Sequence, residues 1–116
     1  MTPQEKVPER IIVAFTACPS RLQADKLARQ LVSERLAACI NQIPGVTSTY
    51  IWGDKLQTDA ETILMIKTTE AKFEALKARI KELDTYELPE LIAIPVCAGA
   101  ENYLAWVGDA VASQSK

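Results

Sequence analysis

The stretch that most constrains the fold runs from residue 36 to residue 52 and has the sequence LAACINQIPGVTSTYIW. It begins like the end of a helix and favours a strand from Cys39 onward, because β-branched and aromatic residues suit a pleated surface. Pro44-Gly45 interrupts the run and predicts a bulge or bend. Side chains alternate along a strand, so one face is predicted to carry Val46, Ser48, Tyr50 and Trp52. A strand this long overhangs a small sheet, and its free edge predicts an oligomer.

The size and charge of the chain limit the classes of protein to which it can belong. Its 116 residues fit one domain, and 48% hydrophobic with 24% charged residues is typical of globular proteins. A net charge of -2 provides no basic surface for nucleic acid. No apolar run approaches the roughly 20 residues that span a bilayer. We therefore expect neither nucleic acid nor a membrane as a partner.

The N-terminal sequence MTPQEKVPER is polar and contains two prolines. It lacks the apolar centre of a signal peptide, which predicts a cytoplasmic protein. We expect residues 1–9 to form a flexible tail, residues 10–113 a single domain, and residues 114–116 a short C-terminal tail.

Histidine is absent, and the three cysteines, Cys18, Cys39 and Cys97, are scattered along the chain. An odd number of cysteines without a C-x-x-C pair is a poor disulfide framework. The lack of histidine removes the commonest general base and the commonest metal ligand. A Ser-His-Asp or Cys-His catalytic site is thereby excluded within this chain.

The pattern of apolar residues predicts the element order β-α-β-β-α-β followed by a C-terminal helix. Ser20 and Gln23 have capping-box spacing at the start of the first helix, and Thr69 is placed to cap the second. The expected elements are strands at 10–17, 39–52, 61–68 and 91–97, a turn at 53–55, a first helix from 21 to about 38, and a second helix carrying Phe73, Leu76, Ile80 and Leu83.

This order predicts an α+β fold of the ferredoxin-like type, with a four-stranded antiparallel sheet and both crossover helices on one face. The other face would then be left open. Apolar residues expected to remain uncovered there are Val46, Tyr50, Trp52, Ile63 and Met65. Packing of sheets between subunits would cover them, which predicts a closed symmetric oligomer.

Five segments in register resemble the CutA family of divalent cation tolerance proteins. They are residues 34–41 (ERLAACIN), 43–52 (IPGVTSTYIW), 61–68 (ETILMIKT), 86–96 (YELPELIAIPV) and 103–106 (YLAW). Together they cover about residues 11–107. The resemblance implies a ferredoxin-like fold in a tight homotrimer, with hairpin edges paired between subunits, similar to PII signalling proteins. It also implies a link to divalent cations and to copper.

The family's metal hypothesis uses a cysteine, matched here by Cys39, and a histidine in an H-P-Y-E run. This chain has Asp84 and Thr85 in place of the histidine and proline. Cys18 ends the first strand, where the topology brings it towards Asp84. The candidate metal ligands are therefore Cys39, Asp84 and Cys18, and copper is the only cofactor suggested, since Cu(I) prefers thiolate. Each cysteine also suits the role of a small buried apolar residue.

A second set of candidates would line clefts between subunits or anchor the interface. It comprises Tyr50, Trp52, Lys67, Tyr86, Glu87, Glu90 and Trp106. Aromatic residues commonly anchor interfaces, and a pair between Lys67 and Glu87 or Glu90 is the structural alternative.

Three functions follow as hypotheses. The first is a trimeric, non-enzymatic protein of copper or other divalent metal tolerance. The second is a PII-like regulatory scaffold whose clefts bind a small molecule or a partner protein. The third is an enzyme, which would have to rely on Asp84, Glu87 or Lys67. The absence of a nucleophile-base pair and of a cofactor motif disfavours the third.

Overall fold

The computed structural model describes residues 9–112. The strands are β1 (Ile11–Cys18), β2 (Cys39–Trp52), β3 (Lys55–Thr69) and β4 (Ile92–Pro95), and the helices are α1 (Arg21–Ser33), α2 (Phe73–Leu83) and α3 (Glu101–Val111). The strands form one antiparallel sheet in the order β2-β3-β1-β4. This confirms the predicted ferredoxin-like fold. The predicted tails, apart from Glu9, lie outside the described residues, so the tails and the cytoplasmic location inferred from the first of them stay predictions.

Helix α1 begins as predicted and ends earlier than predicted. The Ser20 hydroxyl accepts a hydrogen bond from the Gln23 backbone N–H at 3.2 Å, so the expected N-cap is present. The helix ends at Ser33, whereas the sequence predicted an end near Ala38. Arg35 adopts a left-handed conformation (φ 63°).

The backbone N–H of Leu36 donates to the Leu31 carbonyl at 3.0 Å, across the left-handed Arg35. This bond belongs to the Schellman motif that terminates helices. Glycine usually occupies the left-handed position, and its absence here explains why the sequence suggested a longer helix.

Strand β2 has the predicted bounds and the predicted irregularity. Ile43 pairs with Ile63 and Val46 pairs with Glu61, so β2 contains one more residue than β3 over this interval. Gly45 adopts φ +74° within this bulge. The extra residue changes which residues face each side: odd-numbered residues before the bulge and even-numbered residues after it share one face.

Strands β2 and β3 form a long hairpin arm. Gly53 and Asp54 both have positive φ, as in a two-residue type I′ turn, and they lie within the turn predicted at 53–55. Strand β3 starts at Lys55 rather than at residue 61, because residues 55–60 pair with β2 although they lack apolar alternation. The arm makes the chain elongated, with extents of 62 × 31 × 22 Å.

Helices α1 and α2 cover one face of the sheet and form the main core. That core contains Ala14 and Cys18 of β1, Leu64 and Ile66 of β3, and buried residues of both helices such as Leu31. Helix α3, in contrast, packs on β1 and β3 from the other side.

The two sides are distinguished by neighbouring residues of β1. Ile12 lines a groove with Phe73 of α2, whereas Ile11, on the opposite face, lines a groove with Leu104 of α3. The expectation that helices cover only one side therefore holds for α1 and α2 but not for α3. We call the side that carries α3 the open face, because α3 covers only part of it.

Two smaller expectations are wrong. Thr69 pairs with Ile11 as the last residue of β3 and makes no side-chain capping bond, and a 3₁₀ turn (Glu70–Lys72) precedes α2. Strand β4 has four residues instead of seven, and Ile92 and Ile94 are 62% and 56% exposed. It is an edge strand ending at Pro95, which cannot donate to the ladder. Among residues 9–112, no helix is long and apolar enough to cross a bilayer.

Candidate functional site

A cleft of about 520 Å³ lies on the open face, where β1 ends and the hairpin arm begins. Five predicted cleft residues line it together: Tyr50, Trp52, Tyr86, Glu87 and Glu90. The remaining lining residues are Ala17, Ser48, Thr49, Glu61 and Leu88. The hairpin supplies one wall and the connection between α2 and β4 supplies the other.

The bulge in β2 directs the aromatic residues of the arm towards the cleft. Val46 pairs with Glu61, so the later even-numbered residues Tyr50 and Trp52 share the face of Glu61. The Tyr50 hydroxyl donates a hydrogen bond to the Asp59 carboxylate. This bond, desolvation of the hydroxyl, and the charges of Asp59 and Glu61 raise the pKa of Tyr50 above its ordinary value.

The opposite wall is tied to the sheet at two points. The Tyr86 hydroxyl donates to Glu61 Oε2 at 2.6 Å, and Thr16 Oγ1 donates to the Glu90 carbonyl at 2.6 Å. Burial and the Glu61 bond raise the pKa of Tyr86. Sequence reasoning missed Glu61 and Asp59. Glu61 begins the predicted strand and alternation puts it on the face of Ile63, whereas Asp59 lies outside the strand predicted at 61–68.

Two predicted metal ligands, Cys18 and Asp84, lie close enough for the Asp84 charge to act on the Cys18 thiol. Cys18 is buried in the core, and burial, the Asp84 charge and the Glu61 charge raise its thiol pKa to about 11. Asp84 Oδ1 accepts a hydrogen bond from the Tyr86 backbone N–H at 2.9 Å. Asp84 Oδ2 is buried and accepts no hydrogen bond within the described part of the chain. The topological expectation that Cys18 approaches Asp84 agrees with this arrangement.

The third predicted ligand, Cys39, lies elsewhere. Cys18 pairs with Thr62 and Cys39 with Lys67. These partners are five residues apart on β3, so they face opposite sides of the sheet and lie about 17 Å apart along the strand. Within residues 9–112, no three Cys, Asp or Glu side chains are grouped so that they could hold a metal ion. One protomer thus brings together Cys18 and Asp84, but not Cys39.

The other candidates lie away from the cleft. Lys67 donates to Asn41 Oδ1, and the ion pairs of the described residues do not join it to Glu87 or Glu90 as the structural alternative required. Trp106 belongs to α3 and stacks on Tyr103 with ring centroids 5.7 Å apart. Cys97, expected to pack at a strand end, is exposed after β4.

The buried Cys18 thiol makes a testable contribution to stability. Its pKa is raised from 9.0 to about 11, so the folded chain retains a proton that the unfolded chain loses. This contribution is complete below about pH 9 and is lost as the pH rises through about 11. It amounts to at most about 2 to 3 kcal/mol.

We expect the free energy of unfolding of wild type to decrease more steeply above pH 9 than that of Cys18→Ala. Urea denaturation above pH 9 measures the free energy of unfolding of both proteins. The difference between the two pH curves removes the contributions of the lysines and tyrosines, which the two proteins share. Cys97→Ala, which removes an exposed thiol, should follow wild type. Parallel curves for wild type and Cys18→Ala would contradict the burial of this thiol.

Comparison with known proteins adds a consistent result. The family model described as "CutA1 divalent ion tolerance protein" matches residues 12–110. "Protein CutA 1, chloroplastic" of Oryza sativa subsp. japonica is 43% identical over 96 residues, which is 83% of this chain and 54% of the rice protein. "Divalent-cation tolerance protein CutA" of Thermus thermophilus is 43% identical over 95 residues, covering 82% of this chain and 92% of that protein.

The crystal structure of CutA1 from Oryza sativa superimposes with a TM-score of 0.89 at 38% identity, covering 92% of this chain and 98% of that chain. The chain spans about half to two-thirds of the length of the rice, frog and Arabidopsis relatives that it matches. The similarity therefore extends over the whole described fold, including the hairpin arm.

Proposed function

Because the chain belongs to the CutA1 divalent ion tolerance protein family, we propose that it is a non-enzymatic protein of metal tolerance that binds copper weakly as cargo. The observation that supports this is the proximity of Cys18 to the Asp84 charge, together with an Asp84 Oδ2 that is buried and accepts no hydrogen bond within residues 9–112. A thiolate is a soft ligand that suits Cu(I), and metal binding would displace the thiol proton.

The residues of one protomer fit such a role only in part. Two ligands from one chain make a weak site, and no third Cys, Asp or Glu completes it within residues 9–112. We propose that the chain forms a homotrimer and that a neighbouring subunit supplies further ligands. Cys39, half-buried on the open face, lies on the opposite side of the sheet from Cys18, so it could contribute only from a neighbouring subunit.

The properties of the same residues support a non-enzymatic role. A thiol with a pKa near 11 is protonated at neutral pH, so Cys18 is a poor nucleophile. The sequence contains no histidine to deprotonate it. The cleft carboxylates and phenols offer binding groups without a nucleophile-base pair.

An anaerobic Cu(I) titration against a competing chelator tests the metal proposal. We expect Cys18→Ala and Asp84→Asn each to weaken binding by at least about tenfold, the loss expected for one charged ligand. Cys97→Ala is the matched control and should bind like wild type, because this cysteine is exposed and follows β4 at the end of β1 opposite to Cys18.

The Cys39→Ala variant belongs in the same titration, since it measures whether this cysteine contributes at all. Negligible binding by wild type, or equal affinity for wild type, Cys18→Ala and Asp84→Asn, would refute the proposed site.

A PII-like regulatory scaffold that binds a small molecule is the second candidate function, and the cleft is the observation that supports it. Its volume of about 520 Å³ is within the usual range for small-molecule sites. A thermal-shift screen over metabolites tests this candidate, because a ligand that binds only the folded form raises its apparent stability.

A further inference from the structure

The cleft has an unusual chemical lining for a small-molecule site. Three of its residues are carboxylates and three are aromatic, and none of the ten described residues that line it is Lys or Arg. The carboxylates are Glu61, Glu87 and Glu90, and the aromatics are Tyr50, Trp52 and Tyr86. A nucleotide or another anion would find no positive partner on these walls.

The two tyrosine rings are held in place by their hydroxyl groups. Tyr50 donates to Asp59, and Tyr86 donates to Glu61 at 2.6 Å. These hydrogen bonds fix the positions of the two rings and involve only the hydroxyl groups. The faces of the rings are therefore not used by these bonds. Tyr50 and Trp52 are 41% and 49% exposed in a single protomer, so their ring faces are accessible wherever a neighbouring subunit does not cover them.

The acidic groups of the connection are not neutralised within the described residues. The ion pairs found between residues 9 and 112 involve neither Glu87 nor Glu90. The hydrogen bond from Thr16 to the Glu90 carbonyl fixes the backbone and leaves the Glu90 carboxylate free. The cleft therefore combines electron-rich ring faces with uncompensated negative charge.

We propose that this cleft binds a small organic cation, a quaternary ammonium or protonated amine, between the aromatic faces and the free carboxylates. Ring quadrupoles attract such cations, and quaternary ammonium groups are recognised in this way. A bulky cation matches the cleft better than a metal ion, because within residues 9–112 no three Cys, Asp or Glu side chains are grouped closely enough to hold a metal ion. The inference rests on the second candidate function, and it does not depend on copper binding.

Choline and its uncharged isostere 3,3-dimethyl-1-butanol are the probes. They share size and shape and differ in the charge of the head group. Calorimetric or NMR titration of the full chain in the presence of a metal chelator should show choline binding at least about tenfold tighter than the alcohol. Choline affinity should also fall as salt rises, since the carboxylates are exposed.

Two pairs of variants locate the site. Trp52→Leu should weaken choline binding by about fivefold or more, the scale of one lost cation–π contact. Trp106→Leu is its matched control, because Trp106 is 48% exposed, much like Trp52, but stacks on Tyr103 of α3. Glu87→Gln, a surface change that keeps the side-chain shape, should weaken choline binding without affecting the alcohol.

Equal affinity for choline and the alcohol, no binding of either, or equal effects of Trp52→Leu and Trp106→Leu would each overturn the inference. Absence of binding would also be the result if a second copy of the chain fills the cleft. If choline fails while another metabolite raises the thermal stability, the scaffold function survives and only the ligand class is wrong. The copper titration is unaffected by either outcome.

Discussion

Replacing Leu31 with alanine is expected to lower the free energy of unfolding by about 3 to 4 kcal/mol. Leu31 is fully buried in α1, within the core that joins this helix to the sheet and to α2. Its truncation removes buried apolar surface and leaves a cavity that the antiparallel sheet cannot easily close. Total stabilities are about 5 to 15 kcal/mol, so this loss is a large fraction. Urea denaturation at fixed protein concentration measures it.

The same helix offers a matched control. Leu22 undergoes the same chemical change in Leu22→Ala but is 70% exposed in the first turn of α1. We expect an effect within about 0.5 kcal/mol, as for most surface substitutions. A loss below about 1 kcal/mol for Leu31→Ala, or equal losses at the two positions, would mean that α1 is not closed over the sheet as described.

Elements defined by local signals could be predicted from the sequence. Strand β2 has the predicted bounds because its β-branched and aromatic residues and the Pro44-Gly45 bulge act within a few residues of one another. The turn at Gly53 is recognisable for the same reason, since its φ is positive and glycine tolerates this. The bulge matters most for the site, because it turns Tyr50 and Trp52 towards the cleft.

Features set by distant parts of the chain could not be predicted in this way. Residues 55–60 are mostly polar and lack apolar alternation, and they form a strand because they pair with β2. Arg35 adopts the left-handed conformation that ends α1, and its guanidinium donates a hydrogen bond to the Ala110 carbonyl of α3 at 3.0 Å. In both cases tertiary structure overrides local propensity.

The candidate site shows the same division. The topology alone placed Cys18 near Asp84, and the structure agrees through the effect of that carboxylate on the thiol pKa. Whether Cys39 could join them depended on the register of β2 against β3, which a sequence does not specify. The register places Cys39 beside Lys67, on the other face of the sheet. Glu61 was missed because its role depends on a hydrogen bond from a distant tyrosine.

The second large effect concerns the open face of the sheet. Antiparallel register puts Phe15 of β1, Met65 of β3 and Ile92 of β4 in one row on this face. Ile92 is 62% exposed, and the two neighbours are half-buried. A contiguous apolar row of this kind marks an interaction surface, and the proposed homotrimer would cover it.

We therefore expect Ile92→Asp to convert a trimer into monomers and to lower the thermal stability. In a lone protomer the new carboxylate would lie in water, and the substitution would cost less than about 0.5 kcal/mol. In a trimer, three unpaired charges would be buried, each at a cost of several kcal/mol. Analytical ultracentrifugation measures the mass, and unfolding at several protein concentrations shows whether dissociation and unfolding are coupled.

Leu22→Asp distinguishes loss of assembly from a general effect of charge. Leu22 is even more exposed than Ile92, at 70%, and lies on α1, on the far side of the sheet from the open face. An aspartate in the first turn of a helix is also favourable to the helix dipole. This variant should keep the mass and stability of wild type. A wild-type chain that is a stable folded monomer at low micromolar concentration, or an Ile92→Asp variant that matches Leu22→Asp in both measurements, would rule out an obligate assembly through this face.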